Sequence, residues 1–245
     1  MCETCLEALR PLEGSLCSVC GEALLSPAFM DRAEPRCGLC QRLHPPFERA
    51  VAYGSYDGGL RDLIHLLKYQ QVRPAAAVLG RMLAETITGV ETALPPGRIA
   101  VVPVPLHVRK RAQRGFNQSE LIARAAMKQM ASPERFQMFT DVLVRRRETE
   151  SQIGLTRHQR RENLRGAFVV AEPERLAKRD VLLVDDVFTT GTTASECARV
   201  LRRAGAHRVW VATVARTLKV SEIFAVPEQD LEEGNVDRMA AAANG

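Results

Sequence analysis

Residues 181–184 (VLLV) form an unbroken apolar run that follows the charged Lys178-Arg179-Asp180 and stops at Asp185-Asp186. Such a run, without alternation, predicts a strand covered on both faces, as in a parallel sheet. Residues 99–104 and 207–214, the latter holding Trp210, predict two more strands, and residues 47–56, with Ala50, Ala52, Gly54 and Tyr56 in register, predict a further one. Helical spacing fills the intervals. Leu60, Leu63, Ile64 and Leu67 make a stripe for which Asp57 reads as the cap. A second helix is expected from Pro74 to about Ile87, with Gly89 beyond its end, and a third from about Asn117 to Met130. After residues 189–193 (TTGTT), Cys197, Val200, Leu201 and Ala204 share a helical face that Gly205 closes. Thr193 followed by Glu196 fits a capping box. Strands alternating with helices predict an α/β protein, a mostly parallel twisted sheet with a ligand site across the carboxyl ends of its strands.

The periodicity breaks down in three places. Residues 143–168 hold RRRETESQIGLTRHQRRENLRGAF, too polar and Arg-rich for a core element, and are expected to form a mobile flap. The C-terminal stretch from residue 217 to 245 is acidic and little patterned, and is expected to be disordered. At the other end, six of the seven cysteines form three Cys-x-x-Cys pairs within the first 40 residues. In a reducing compartment such pairs mean metal more often than disulfide, and two pairs complete a tetrahedral zinc site. Cys17, Cys20, Cys37 and Cys40 are assigned to zinc, with Gly21 allowing the tight knuckle turn. Cys2 and Cys5 lack a partner pair; either they compete for the same ion or a preceding pair has been lost. Residues 43–47 (LHPPF) then read as a proline-stiffened linker. Three units follow: a zinc-ribbon module over 1–46, an α/β domain over 47–216 and the tail over 217–245.

With 46% hydrophobic and 26% charged residues, a chain of 245 residues is globular. It has no apolar run of membrane-spanning length and no secretory leader pattern, so membrane insertion is not expected and a cytoplasmic location is. The formal charge of +5 is concentrated: residues 101–165 carry 14 Lys/Arg against 6 Asp/Glu, which calls for an anionic partner.

Two chemical patterns stand out. Adjacent carboxylates at a strand end, Asp185 and Asp186, suit a vicinal diol and can hold magnesium through water. The Thr/Gly-rich turn behind them, opening a helix, offers backbone N–H groups and hydroxyls to a phosphate. Residues 99–104 run into PVPLHVRKRAQRGFNQSE, read as a loop whose Arg109, Lys110, Arg111 and Arg114 would grip an anion before the next helix.

Residues 181–193 resemble the phosphoribosyl-pyrophosphate (PRPP) motif of type I phosphoribosyltransferases. The resemblance implies that Asp185 and Asp186 hold the ribose hydroxyls and that Thr189, Thr190, Gly191, Thr192 and Thr193 hold the 5′-phosphate. It further assigns Arg109, Lys110, Arg111 and Arg114, with Lys68, to pyrophosphate. Thr189 stands where some 6-oxopurine enzymes carry an acid, which argues against hypoxanthine or guanine as acceptor.

Over residues 2 to about 216 the chain resembles the ComF (GntX-like) family, zinc-ribbon proteins with a C-terminal phosphoribosyltransferase domain. The matching positions are the Cys pairs, Tyr56, Lys68, Pro103-Val104-Pro105, Arg114-Gly115-Phe116-Asn117-Gln118, Thr149, Gln152, Leu155, Arg160, Asn163, Ala167-Phe168 and the 181–193 motif. Gln152, Arg160 and Asn163 fall in the expected flap. Many family members carry one more Cys pair. The resemblance implies structural zinc, magnesium with PRPP, and a role in DNA uptake or nucleotide use. Two functional readings remain open: a transferase that displaces pyrophosphate from PRPP, with Asp185, Asp186 and Arg114 as catalytic residues, or a PRPP-sensing adaptor that binds single-stranded DNA or a helicase-like partner. The 5% aromatic content offers little stacking platform for the second.

Overall fold

The computed structural model describes residues 9–24, 33–148 and 156–218. Cys2, Cys5, Thr149, Gln152, Leu155 and the tail from 219 onward lie outside them. Among the described residues, seven strands run β1 (Ala50–Ser55), β2 (Ile99–Pro103), β3 (Phe136–Met138), β4 (Leu143–Arg145), β5 (Phe168–Val170), β6 (Asp180–Phe188) and β7 (Arg208–Arg216). The α-helices described there run α1 (Gly38–Leu43), α2 (Gly58–Tyr69), α3 (Ala75–Gly89), α4 (Val108–Arg114), α5 (Gln118–Met127), α6 (Arg157–Leu164) and α7 (Thr192–Arg203).

Five strands form one sheet in the order β1-β7-β6-β2-β3, with every neighbouring pair parallel. All its carboxyl ends therefore lie along one edge. Because a strand alternates its faces, the apolar run in β6 serves two cores. Leu182 and Val184 pack with Trp210, Ala212 and Val214 against α2, α3 and α5. Val181 and Leu183 pack with Val209, Val211, Ala100 and Val102 against α7 and the N-terminal segment. All four residues of the run are at most 1% exposed, and each contributes about 1.5–3 kcal/mol by burial.

Several expectations are corrected. The basic stretch after β2 is the helix α4 rather than a loop, closed by Gly115 at φ 77°. It buries no residue, which is why no apolar stripe announced it. The 143–168 region is not wholly a flap. It contains the antiparallel pair β4–β5 and the helix α6, pinned by Leu143, Leu164, Ala167 and Phe168, all buried. The capping box in α7 does not form: Gly191 occupies the N-cap and Glu196 instead accepts from the Gly166 N–H at 3.0 Å and pairs with Arg199. Asp57 stands at the N-cap of α2 without a side-chain cap bond. By contrast, Gly205, at φ 96°, closes α7 with the two bonds of a Schellman motif, Gly205 N–H to Arg202 O and Ala206 N–H to Leu201 O, both 3.1 Å.

The N-terminal segment shares the second core rather than standing apart. Cys17, Cys20, Cys40, Val19 and Phe47 belong to the same buried cluster as Val181 and Leu183, and the Ala50 N–H bonds to Val19 O at 2.7 Å.

Candidate functional site

Asp185 and Asp186 lie within the second half of β6, so successive side chains point to opposite faces and meet different partners. Asp186 is 4% exposed and pairs with the Lys68 ammonium at 2.8 Å. Lys68 comes from the last turn of α2. Burial alone would lower its pKa, but the charge of Asp186 and its hydrogen bond, with Asp185 behind, raise it, so this amine stays protonated. Tyr56, just past β1, stands within electrostatic reach of both Lys68 and Asp186, and its hydroxyl lies 3.0 Å from His65 Nε2.

Asp185 meets a different neighbourhood. Its Oδ1 accepts from the Ser119 hydroxyl and from the Asp186 N–H, both at 2.9 Å. Burial and the adjacent Asp186 carboxylate push its pKa up to about 7, against the opposing pull of Lys68. Ser119 is fully buried at the start of α5, where Asn117 caps the helix by accepting from the Ser119 N–H at 3.1 Å. The Asn117 amide also donates to Val104 O at 3.0 Å, tying α5 to the end of β2. Sequence reasoning passed over Ser119, because only the approach of α5 to β6 gives it a role.

Beyond Phe188 the chain turns through Thr189 to Thr193. Gly191 sits at φ 73°, and a Cβ there would meet the Phe188 ring at 2.6 Å, so a bare Cα is required. The Thr190 and Thr192 hydroxyls are 2.8 Å apart. The first N–H groups of α7 have no carbonyl one turn behind them, and no side chain caps them. They stand at the positive end of the helix beside an acidic pair, a layout that suits a phosphate with a cation nearby.

The basic residues are distributed along α4. Arg114 donates to Gln118 Oε1 at 2.5 Å and lies 5.7 Å over the Tyr69 ring, next in sequence to Lys68. Lys110 has a lowered pKa through burial and the nearby Arg145 and Arg114. Arg109 and Arg111 pair with Glu148 and Glu120 at 2.7 and 3.9 Å, both mostly exposed. Arg145, another residue the sequence did not single out, is held in β4 with its guanidinium 5.5 Å from the Phe168 ring. Burial lowers its pKa, opposed by Cys197 and Asp185. Of the flap residues, Asn163 lends its carbonyl to Arg147 at 2.6 Å, and Arg160 lies on the same helix, α6.

At the N-terminal end, the Sγ atoms of Cys17, Cys20, Cys37 and Cys40 all lie within 4.8 Å of one another. Gly21, at φ 69°, makes the knuckle after Cys20, and the Cys37 N–H points to Cys17 Sγ at 3.3 Å. Hydrogen bonds from the Cys20 and Cys40 thiols hold Cys17 well below the usual thiol range, and the proximity of Cys17 pushes Cys20 up to about 12. Four converging sulfurs fit a structural zinc ion. Cys197, by contrast, is fully buried in α7, where burial raises its thiol pKa.

A phosphoribosyl transferase domain model matches residues 117–223. The chain is 35% identical to the DNA utilization protein YhgH of Escherichia coli (strain K12), over 89% of this chain and 91% of that protein. It is 29% identical to competence protein F of Haemophilus influenzae, over 88% and 96% respectively. Among solved structures, a hypoxanthine phosphoribosyltransferase from Staphylococcus aureus aligns at 11% identity and a TM-score of 0.38, a slight likeness that covers 56% of this chain and 62% of that one. No helix among the described residues is long and apolar enough to cross a membrane.

Proposed function

The chain belongs to the ComF-like family, and from that premise we propose that it binds PRPP with magnesium and transfers phosphoribose to an acceptor with release of pyrophosphate. The observation that carries this reading is the Asp185–Asp186 pair in β6, followed at once by a turn whose Gly191 opens α7. In this reading the two carboxylates accept hydrogen bonds from the ribose 2′ and 3′ hydroxyls, and Thr189, Thr190, Gly191, Thr192 and Thr193 surround the 5′-phosphate. Lys110 and Arg114, with Arg109 and Arg111 once released from their exposed pairs, face the pyrophosphate. The bond from the anomeric carbon to the pyrophosphate oxygen breaks as the acceptor's bond forms, so these cations stabilise a leaving group that gains negative charge. Magnesium, bound with PRPP, supplies further neutralisation of that charge, and carboxylate oxygens are suitable donors for it. Lys68 pairs with Asp186 until ligand arrives and, once displaced from it, adds a cation to the same edge. The names of the relatives, which refer to DNA utilization and competence, support placing this activity in the uptake or reuse of DNA.

Replacing both Asp185 and Asp186 with Asn keeps the volume and removes the charge-assisted bonds, worth about 1.5–3 kcal/mol each. Calorimetry should show magnesium-PRPP affinity falling at least about tenfold, and pyrophosphate release falling with it. Unchanged affinity in the double variant would overturn the reading. A native protein that binds PRPP tightly and releases no pyrophosphate with any acceptor would be an adaptor instead.

A further inference from the structure

Arg216, the last residue of β7, is 2% exposed and heads the fully buried side chains by size. A buried guanidinium is costly unless its protons find acceptors. Both of this one's acceptors among the described residues come from the cysteine knuckle: Nη1 donates to the Cys20 carbonyl and Nη2 to Glu22 Oε2 at 2.6 Å. Its Nε has no acceptor among the described residues. The guanidinium lies against the knuckle glycine: a Cβ on Gly21 would be in ordinary contact with Nη1 at 3.6 Å, and the tight approach there is to Ala50 O at 3.2 Å.

On its other side the guanidinium lies 5.2 Å from the centroid of Phe188, the last residue of β6. The Phe188 ring is held edge-on by Phe47 at 6.1 Å, and its carbonyl accepts from the Thr217 N–H at 3.0 Å. That ring presses on the bare Cα of Gly191, the residue that sets the direction of the 189–193 turn and opens α7. A contiguous line of contacts thus runs from Cys20 through Arg216 and Phe188 to Gly191.

We propose that Arg216 is a positioning residue that couples metal occupancy of the four-cysteine site to the geometry of the 189–193 turn. With the knuckle closed on zinc, the Cys20 carbonyl and Glu22 fix the guanidinium, which holds Phe188 against Gly191. When the knuckle opens, the buried cation loses its acceptors and must swing toward water. Phe188 then loses its support, and the turn its single conformation. Only the identity of the ligand at the turn depends on the transferase reading; the coupling itself does not.

Hydrogen exchange on the full chain tests this without a ligand. In zinc-loaded protein two amides anchored on this turn should be protected, the Ser195 N–H bonded to Gly191 O at 2.8 Å and the Thr217 N–H bonded to Phe188 O at 3.0 Å, and extraction of zinc by a chelator should speed their exchange by about tenfold or more while β2 stays protected. Arg216→Lys keeps the charge but cannot reach both acceptors. Loaded with zinc, confirmed by elemental analysis, it should exchange these two amides as fast as stripped native protein. Equal exchange of the two amides in the native loaded, native stripped and Arg216→Lys proteins would overturn the coupling. Should stripping also expose β2, the zinc-loaded Arg216→Lys protein alone decides, and native-like protection of the two amides in it overturns the proposal. Ribose 5-phosphate affinity, read by calorimetry, should fall about tenfold in Arg216→Lys at unchanged zinc content. If native protein binds no ribose 5-phosphate yet shows the exchange coupling, the transferase reading fails and the coupling stands.

Discussion

Two adjacent aspartates in one strand meet unlike surroundings because their side chains leave opposite faces. Asp186 is matched by Lys68 at 2.8 Å, whereas Asp185 is pushed up to about 7 by burial and by Asp186. A carboxyl with a raised folded pKa contributes stability that is full below its unfolded pKa, near 4, and is lost as pH rises through 7. Native protein should therefore gain stability over Asp185→Asn as pH falls from about 8 to about 5. Discounted for the part of Asp185 that faces solvent, the gain is on the order of 1–2 kcal/mol, and urea denaturation at the two pH values measures it. An equal difference between the proteins at both values would remove the assigned titration. Gly191 is the other residue with no substitute: alanine adds positive-φ strain to a 2.6 Å clash with Phe188. Gly191→Ala should cost about 1–3 kcal/mol of stability and weaken ribose 5-phosphate binding, both readable in one thermal-shift titration.

At the scale of elements, the acidic pair depends on where α5 stands, since α5 delivers Ser119 to Asp185. Its position is set by a close approach to α3, where Gly80 faces Ala125: a Cβ on Gly80 would lie 2.4 Å from the Ala125 Cβ. Gly80→Ala must push the helices apart and should destabilise the fold by about 1–3 kcal/mol. Displacement of Ser119 should also shift the Asp185 titration, visible by NMR. A variant with native stability and an unmoved titration would show that α5 is placed by other contacts. The helix α4 illustrates the opposite regime. Every residue in it is at least partly exposed, and it closes on the left-handed Gly115, so capping and chain direction form it where burial does not.

On the scale of the whole molecule, the cysteine cluster and the sheet share one core, so metal loss should be felt beyond the first 46 residues. We expect one zinc per chain on Cys17, Cys20, Cys37 and Cys40. Its removal by chelator should lower the melting temperature of the single transition, and elemental analysis that finds no zinc in protein purified without chelator would sink the assignment. By itself the sequence determined those features that are local in the chain. The VLLV run marked a doubly covered strand, Cys-x-x-Cys spacing marked a cluster of four thiols, and acids followed by TTGTT marked a carboxylate pair ahead of a helix-opening turn, because each needs only neighbouring residues to have meaning. It misread α4 as a loop and residues 143–168 as wholly flap, since polar helices and strands of three residues show no periodic stripe. Only the tertiary structure decided that Lys68 faces Asp186, that Ser119, 66 positions away, bonds Asp185, and that Arg216 reaches back 196 positions to Cys20. Strand order fixes those meetings: β6 lies between β7 and β2, and no local pattern in the chain encodes which strands will be neighbours.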